Sequence, residues 1–263
     1  MFQVDHCVAC KSKNILQQSA ELARFVAARI LSQDPGRNFP ITGYQCLDCS
    51  FVGSVDRFTV DEESLLYKDY RGQEYNDLRN VCEPGYLDTI NLFDNGAYTE
   101  YRKIGINYLA QKHLDVTKIK NLLDYGGDTG SMIPECFTGT KKYVFDISGV
   151  VPNDGIHAYD CSQNLQFDFL MCCHVLEHKP NSDELLQAIR KLVHNNSWIY
   201  FEIPNNPNPY VGTFHEHINF FNLSSITKLL ERNGFVIVDS YEYGFECSIP
   251  CHKNNLCLLT KIK

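Results

Sequence analysis

The 263-residue chain reads as an α/β protein, a doubly wound and mainly parallel sheet preceded by a small cysteine-bearing module. Three observations predict this. From residue 119 onward, short apolar runs alternate with amphipathic stretches, the pattern of strands buried on both faces by crossover helices. A glycine-rich turn, "LLDYGGDTG" (122–130), follows the first of these runs, where an open α/β sheet places its ligand. Two C-x-x-C pairs stand apart from this pattern, near the N-terminus.

The elements follow in order. "AELARFVAARIL" (20–31) has apolar positions at helical spacing, and "NFPITGYQC" is hairpin-like. Residues 61–115 are rich in Tyr, Asp and Asn and read as helices and loops; "YTEYRKIGINYLAQKHL" (98–114) is their strongest helix. "KNLLDY" predicts a strand, the glycine turn follows, then a short helix over 131–137 and a second strand, "KYVFDIS". "FDFLMCC" is another strand. "SDELLQAIRKLVHNN" is an amphipathic helix with Ser182 or Asp183 as N-cap, and "SWIYFEIP" is a strand stopped by Pro204. "LSSITKLLERNGF" is a helix capped by Ser224 and closed by Gly234. "FVIVDSYEY" and "NLCLLTKI" are two strands with no helix between them, so one runs antiparallel to its neighbours. The domains expected are 1–60, 61–115 as a helical linker or lid, and 116–263.

A net charge of −8 with no Lys/Arg block argues against nucleic-acid or anionic-membrane partners. The N-terminus lacks a signal-peptide pattern, and no apolar run approaches the roughly 18 residues of a membrane span, so a cytoplasmic protein is expected. There the twelve cysteines stay reduced, and Cys136, Cys172, Cys173 and Cys257 lie in apolar stretches that read as core. The remaining pattern is Cys7, Cys10, Cys46 and Cys49. Two matched C-x-x-C pairs have the spacing of a tetrahedral zinc site, with a redox dithiol pair and incidental buried cysteines as the competing readings. Four thiolates leave no open position, so the zinc is structural and residues 1–60 form a small zinc-binding module.

The glycine turn carries two carboxylates, Asp124 and Asp128, which would repel a phosphate. Its glycines, Gly126, Gly127 and Gly130, also miss the G-x-G-x-x-G dinucleotide spacing. S-adenosylmethionine has no phosphate and carries a sulfonium and an ammonium, which suit an acidic loop. The segment resembles the first motif of the class I S-adenosylmethionine-dependent methyltransferases, D-x-G-x-G-x-G, with Asp128 in place of the middle glycine. Asp146, 22 residues after Asp124, stands where that family places its ribose-binding acid. Asp160 in "AYDCS" stands near the family's adenine contact, and "FDFLMCCHVLEH" is similar to its fourth-strand motif. The resemblance covers about residues 120–263. It implies a Rossmann-like methyltransferase fold with a seven-stranded sheet and cofactor contacts from Asp124, Tyr125, Gly126, Gly127, Asp128, Gly130, Asp146, Ile147, Asp160, Cys161 and His174. The helix after the second strand is reduced to a loop.

"PYVGTFHEHINFF" (209–221) follows the strand that precedes a loop over the cofactor in this fold. Histidine titrates near neutrality and suits the removal of an acceptor proton. "HEH" looks like the catalytic motif of the sugar methyltransferases that carry an N-terminal zinc domain, which implies His217 as base, with Glu216 orienting it and His215 beside them. Those relatives have a tyrosine where Phe214 stands. A metal at His215-x-His217 lacks its further ligands, and His174 and His178 read as cofactor neighbours or a helix cap. "LLYKDYRGQEYN" (65–76) is either a lid, with Tyr70 and Arg71 reaching the methionine carboxylate, or a solvated helix end.

The function expected is therefore methylation of a sugar, as nucleotide-sugar or glycan, in carbohydrate biosynthesis. Phe214, and a chain that stops soon after its last strand, favour an oxygen acceptor. The alternatives are C- or N-methylation of a sugar or other small molecule, and an inactive zinc-containing binding protein of the same fold, for which Asp128 is the supporting feature.

Overall fold

A computed structural model describes residues 1–88, 96–205, 211–244 and 254–263. Pro209 and Tyr210 of the histidine-bearing segment fall outside the described residues. Seven strands form the main sheet: β6 (Asn121–Tyr125), β7 (Lys141–Phe145), β8 (Ile156–Ala158), β9 (Phe167–Cys173), β10 (Val193–Pro204), β13 (Phe235–Gly244) and β14 (Asn254–Ile262). Their order is β8-β7-β6-β9-β10-β14-β13, and only β14 runs antiparallel to its neighbours. The order reverses between β6 and β9, so a crevice opens at the carboxyl ends of these two strands.

Strand alternation distributes the core. In β9, Leu170 and Cys172 face helices α6 (Ser182–Lys191) and α7 (Leu223–Arg232), which bury Leu185, Leu186, Ile189, Ile226, Leu229 and Leu230. Phe169 and Met171 face α5 (Ile104–His113) and its Ile106, Leu109 and Ala110. Each fully buried leucine or isoleucine contributes about 1.5–3 kcal/mol.

The N-terminal region builds a second sheet. β2 (Ile15–Leu22) and β3 (Phe39–Cys46) form an antiparallel ladder around α1 (Arg24–Leu31), and β4 (Val52–Ser54) pairs with β3. Two further strands arrive from far along the chain. β11 (Thr213–Phe214) adds to β2 and β12 (Asn219–Phe220) adds to β4, giving the order β11-β2-β3-β4-β12. Residues 215–218 therefore bridge the two edges as a strap. Gly43 in β3 makes room for it: a Cβ there would lie 2.4 Å from Val211 Cγ1 and 2.9 Å from Phe214 Cε2. A short ribbon pairs β1 (Phe2–Gln3) with β5 (Asp56–Arg57). Helices α2 (Val60–Tyr67) and α3 (Gln73–Cys82) pack Leu66 and Tyr75 against Phe25 and Val26 of α1 and against Phe214 and Ile218 of the strap. Thr59 opens α2 with a reciprocal capping box to Glu62.

Several expected elements differ. The helix expected over 20–31 begins at Arg24, because Ala20–Leu22 pair with Pro40–Ile41 and Phe39 across the ladder, and that pairing overrides helical spacing. The helix expected over 98–114 is two, α4 (Gly96–Arg102) and α5, meeting at Lys103, whose buried amine lies between Glu100 and Glu135. Turns replace the helix expected over 131–137; Pro134 there has no amide to donate and disfavours a helical residue before it. The cap of α6 is Asn181, which accepts from the amides of Asp183 and Glu184, and that of α7 is Asn222, boxed with Ser225. Each lies ahead of the expected Ser182 or Asp183 and Ser224. The helix expected over 182–196 stops at Lys191, since Val193 already pairs with Phe167 of β9. No helix among the described residues is long and apolar enough to cross a membrane.

Candidate active site

The glycine turn follows β6 directly. Gly126 takes φ +76°, and a Cβ on it would lie 2.5 Å from Val175 Cγ2, so the turn packs against the loop after β9. Asp128 stands where the family motif has glycine, and it adopts glycine's left-handed conformation, φ 51°. Aspartate is among the few residues that tolerate it. Its amide donates to Asp146 Oδ2 at 2.9 Å, and the amide of Ser148 donates to Oδ1 at 2.8 Å, so Asp146 ties the second strand's end to the turn. Asp128 itself is 48% exposed and faces Arg71 at 3.9 Å. Beside Arg71, Tyr70 packs edge-on against Tyr67 and Tyr75.

Asp124 is buried, and its Oδ2 has no hydrogen-bond partner among the described residues. Burial pushes its pKa up to about 7; Arg102 opposes this, while Asp146, Glu202 and Asp128 add to it. An orphaned, buried carboxylate oxygen beside the turn fits a ligand with a cationic donor. Of the other expected contacts, Gly127 and Gly130 lie in the turn, Ile147 is exposed, and Asp160 accepts from the Ser162 amide, with Cys161 exposed beside it. Tyr125 stacks on Phe145, on the opposite face of the sheet from Asp124.

His174 has φ 55° and lies between two buried carboxylates, 3.1 Å from Glu177 Oε1 and 3.1 Å from Glu202 Oε1. Burial and Arg102 press its pKa down, yet Glu177 and Glu202 outweigh them and leave it raised. Arg102 reaches the same Glu202 at 2.9 Å. Against its own burial, Glu202 is held at about 2 by Arg102 first and then His174. Neither Arg102 nor Glu202 carries a motif, and sequence reasoning missed both.

The strap divides "HEH" three ways. His215 is half-exposed and sits 3.2 Å from Glu83, on the rim of a cavity of about 460 Å³ that Arg24, Asn38 and Thr213 also line. Glu216 takes a 2.6 Å ion pair from Arg79 and a hydrogen bond from Tyr75, which hold it at about 2 against its burial. His217 turns toward the loop after β9, where its ring meets that of His178 edge-on, 4.5 Å between centroids. Burial, then His178, push His217 down to about 3 despite Glu177 and Glu216. Glu177 joins these rings, and His174, His178 and His217 hold it at about 2 against burial.

His178 is therefore no helix cap. Its Nδ1 lies 2.9 Å from Tyr67 Oη, and it belongs to the cluster with His217. Phe214, in place of the relatives' tyrosine, points into the N-terminal core, while Tyr67 and Tyr75 bring hydroxyls to the site from α2 and α3.

Cys7, Cys10, Cys46 and Cys49 converge, with Sγ atoms 3.6 Å apart in the Cys7–Cys49 and Cys10–Cys46 pairs. That is far beyond disulfide length, and a tetrahedral ion with bonds of about 2.3 Å separates its sulfurs by about 3.8 Å. Both pairs sit in matching turns. The residue after each second cysteine, Lys11 and Ser50, is left-handed and donates its amide to the carbonyl of the first, at 2.8 and 2.9 Å. The four thiols thus have the chemistry and the arrangement of a zinc site.

A family model described as a methyltransferase domain matches residues 97–240. No curated protein matches the chain in sequence. The fold is similar to that of Burkholderia thailandensis 1,6-didemethyltoxoflavin-N1-methyltransferase, solved with its substrate and S-adenosylhomocysteine (TM-score 0.52, 16% identity, covering 82% of this chain and 97% of that one). It is also similar to that of Synechocystis PCC 6803 magnesium protoporphyrin IX methyltransferase, solved with S-adenosylmethionine (TM-score 0.52, 15% identity, covering 79% and 100%). With its strand order, its acidic glycine turn and a family match over more than half its length, the chain belongs to the methyltransferase-domain family, as a class I S-adenosylmethionine-dependent methyltransferase.

Proposed function

We propose that this methyltransferase acts on a hydroxyl of a sugar, presented as a nucleotide-sugar or a glycan. The observation that carries the reading is the placement of His217. The strap delivers it to His178 and Glu177, in the loop that packs on the glycine turn. S-adenosylmethionine supplies an activated methyl group, so the protein must align the acceptor and remove its proton. A hydroxyl needs that removal. His217 takes the proton, and Glu177 and Glu216 offset the charge it gains.

The rest of the site fits these roles. Asp124 Oδ2 receives the cofactor's ammonium, Asp146 the ribose hydroxyls, and the backbone from Tyr125 through the turn to Gly130 passes along the cofactor, with Ile147, Asp160 and Cys161 toward the adenine. Arg102 and His174 balance the buried acids beneath. His215 and the polar cavity at its side suit the hydroxyls of the sugar's remainder; His217 is two positions on, at most about 7 Å along the chain. Residues 1–60 serve as a zinc-binding module held by Cys7, Cys10, Cys46 and Cys49, 61–115 as the lid region, and 116–263 as the methyltransferase domain.

The test is a panel of nucleotide-sugars and glycans, read by product mass. His217→Gln should lower kcat by about 10²–10⁴ while leaving the cofactor Kd unchanged by calorimetry. Unchanged turnover would remove His217 from the role, and a panel without a methylated product would overturn the sugar reading.

A further inference from the structure

We propose that Glu177, His178 and His217 form a second metal site, distinct from the cysteine cluster, that binds a divalent first-row transition ion. The motif His215-x-His217 alone lacks ligands for one. Folding supplies them from another loop: one donor atom from each of Glu177, His178 and His217 lies within 4.8 Å of the others.

Glu177 is 1% exposed. Its Oε1 is 3.1 Å from His174 Nδ1 but poorly angled for a hydrogen bond, and Oε2 has no hydrogen-bond partner among the described residues. Leaving a buried carboxylate oxygen unsatisfied costs about 1–3 kcal/mol or more, and a cation among these donors removes that cost. The Tyr67 hydroxyl lies 2.9 Å from His178 Nδ1, the outer partner that metal-bound imidazoles usually have; in the tautomer with the proton on Nδ1, Nε2 is left to ligate.

The two loops are also fixed against each other. The amides of Ile218 and Asn219 donate to the Glu177 carbonyl at 3.0 and 3.1 Å. Asn219 Nδ2 donates to the carbonyls of Leu176 and Lys179, and buried Arg57 donates to Asn219 Oδ1 at 2.6 Å. The donors thus stand in place before an ion arrives.

Two imidazoles and one carboxylate suit Mn²⁺, Fe²⁺, Co²⁺ or Zn²⁺ better than Mg²⁺ or Ca²⁺, and three protein ligands leave positions open. The consequence rests on the methyl-transfer reading. An acceptor hydroxyl bound at an open position loses its proton to solvent, its oxygen bonds to the methyl carbon, and the carbon–sulfur electron pair returns to sulfur. With the ion bound, His217 is a ligand and the ion activates the hydroxyl; with the site empty, His217 is the base of the proposed function.

The probe is Mn²⁺, which thiolates disfavour, titrated into the full chain with its zinc retained and followed by loss of the free-ion electron paramagnetic resonance signal. We expect one equivalent bound. Glu177→Gln and His217→Gln should weaken it by more than about 100-fold, and Tyr67→Phe by about tenfold, the scale of an outer-partner change. Unchanged circular dichroism and cofactor affinity in each variant establish that it is folded. No stoichiometric Mn²⁺, or binding indifferent to both Gln variants, overturns the site. If Mn²⁺ fails to bind while turnover still depends on His217, the metal falls and the base reading stands. If Mn²⁺ binds as expected but no sugar is methylated, the metal stands and the acceptor reading falls.

Discussion

The proposed contact between Asp124 and the cofactor's ammonium would make cofactor binding a proton-linked event, and the linkage has a sign and a size. Its carboxyl is buried, with Oδ2 unsatisfied, and sits at about 7 where an ordinary aspartate titrates near 3.9. A gap of about three pH units, at about 1.36 kcal/mol each, makes ionising Asp124 in the empty fold cost about 4 kcal/mol. Between about pH 4 and 7 the folded chain holds a proton that the unfolded chain has released. The cofactor-free protein therefore loses stability as pH rises through that window, and Asp124→Asn should flatten the slope.

The cofactor's positive ammonium favours the carboxylate, so binding expels the proton. At pH 6 about 0.9 proton should leave per cofactor bound, and Kd should tighten about tenfold per pH unit up to about 7, where it levels. Calorimetry at that pH in buffers of different ionisation enthalpy counts the proton directly, and Asp124→Asn should release none. A Kd that is flat from about pH 5.5 to 7, with no buffer dependence of the heat, would refute the claim that Asp124 faces the cofactor's charge.

Two further outcomes test the strap and the turn. Glu216→Ala leaves buried Arg79 with Glu83 as its remaining acidic partner among the described residues and should cost about 3 kcal/mol in urea unfolding; a change below about 1 kcal/mol would mean that the pair does not hold the strap. Asp128→Gly keeps the left-handed turn without the side chain, so cofactor affinity should hold or improve while the Arg71 contact is lost; a tenfold weaker Kd would show Asp128 to be a direct ligand.

The parts of the site that sequence made legible are those in which each residue answers to its own strand. Asp124, Gly126 and Gly130 close a turn at the end of β6, and Asp146 ends β7, so their spacing along the chain carries their geometry. His217 was visible as a histidine in a polar loop, but its partners were not. Glu177 and His178 come from the loop after β9, and Tyr67, Tyr75 and Arg79 come from α2 and α3, more than 100 residues upstream of it in the case of Tyr67. No periodicity reports such convergence. The caps shifted ahead to Asn181 and Asn222 because any nearby Asn, Ser or Asp can accept from the first amides, and only the chain's entry angle chooses among them. β11 and β12 are dipeptides, too short for a strand signal, and they exist because β2 and β4 offer edges to pair with.

These edge pairings give the N-terminal module a reason to stand beside a methyltransferase sheet. A four-residue stretch in open loop would not hold an imidazole to the accuracy that proton transfer or metal binding demands. Here Phe214 and Ile218 are buried in the module's core on either side of His217, and each neighbours a strand pairing. The module must itself keep register for this to work, because a one-residue slip of β2 against β3 would turn its inward face outward. Ile15 pairs with Cys46 at one end of that ladder, and Leu22, which pairs with Phe39, meets Phe214 at the other. The cysteine cluster thus sits at the Cys46 end of the ladder, and the ladder carries its register to Leu22, beside Phe214 of the strap. In the proposed function, a zinc ion held by these four thiols would in this way fix the placement of a histidine that it never touches.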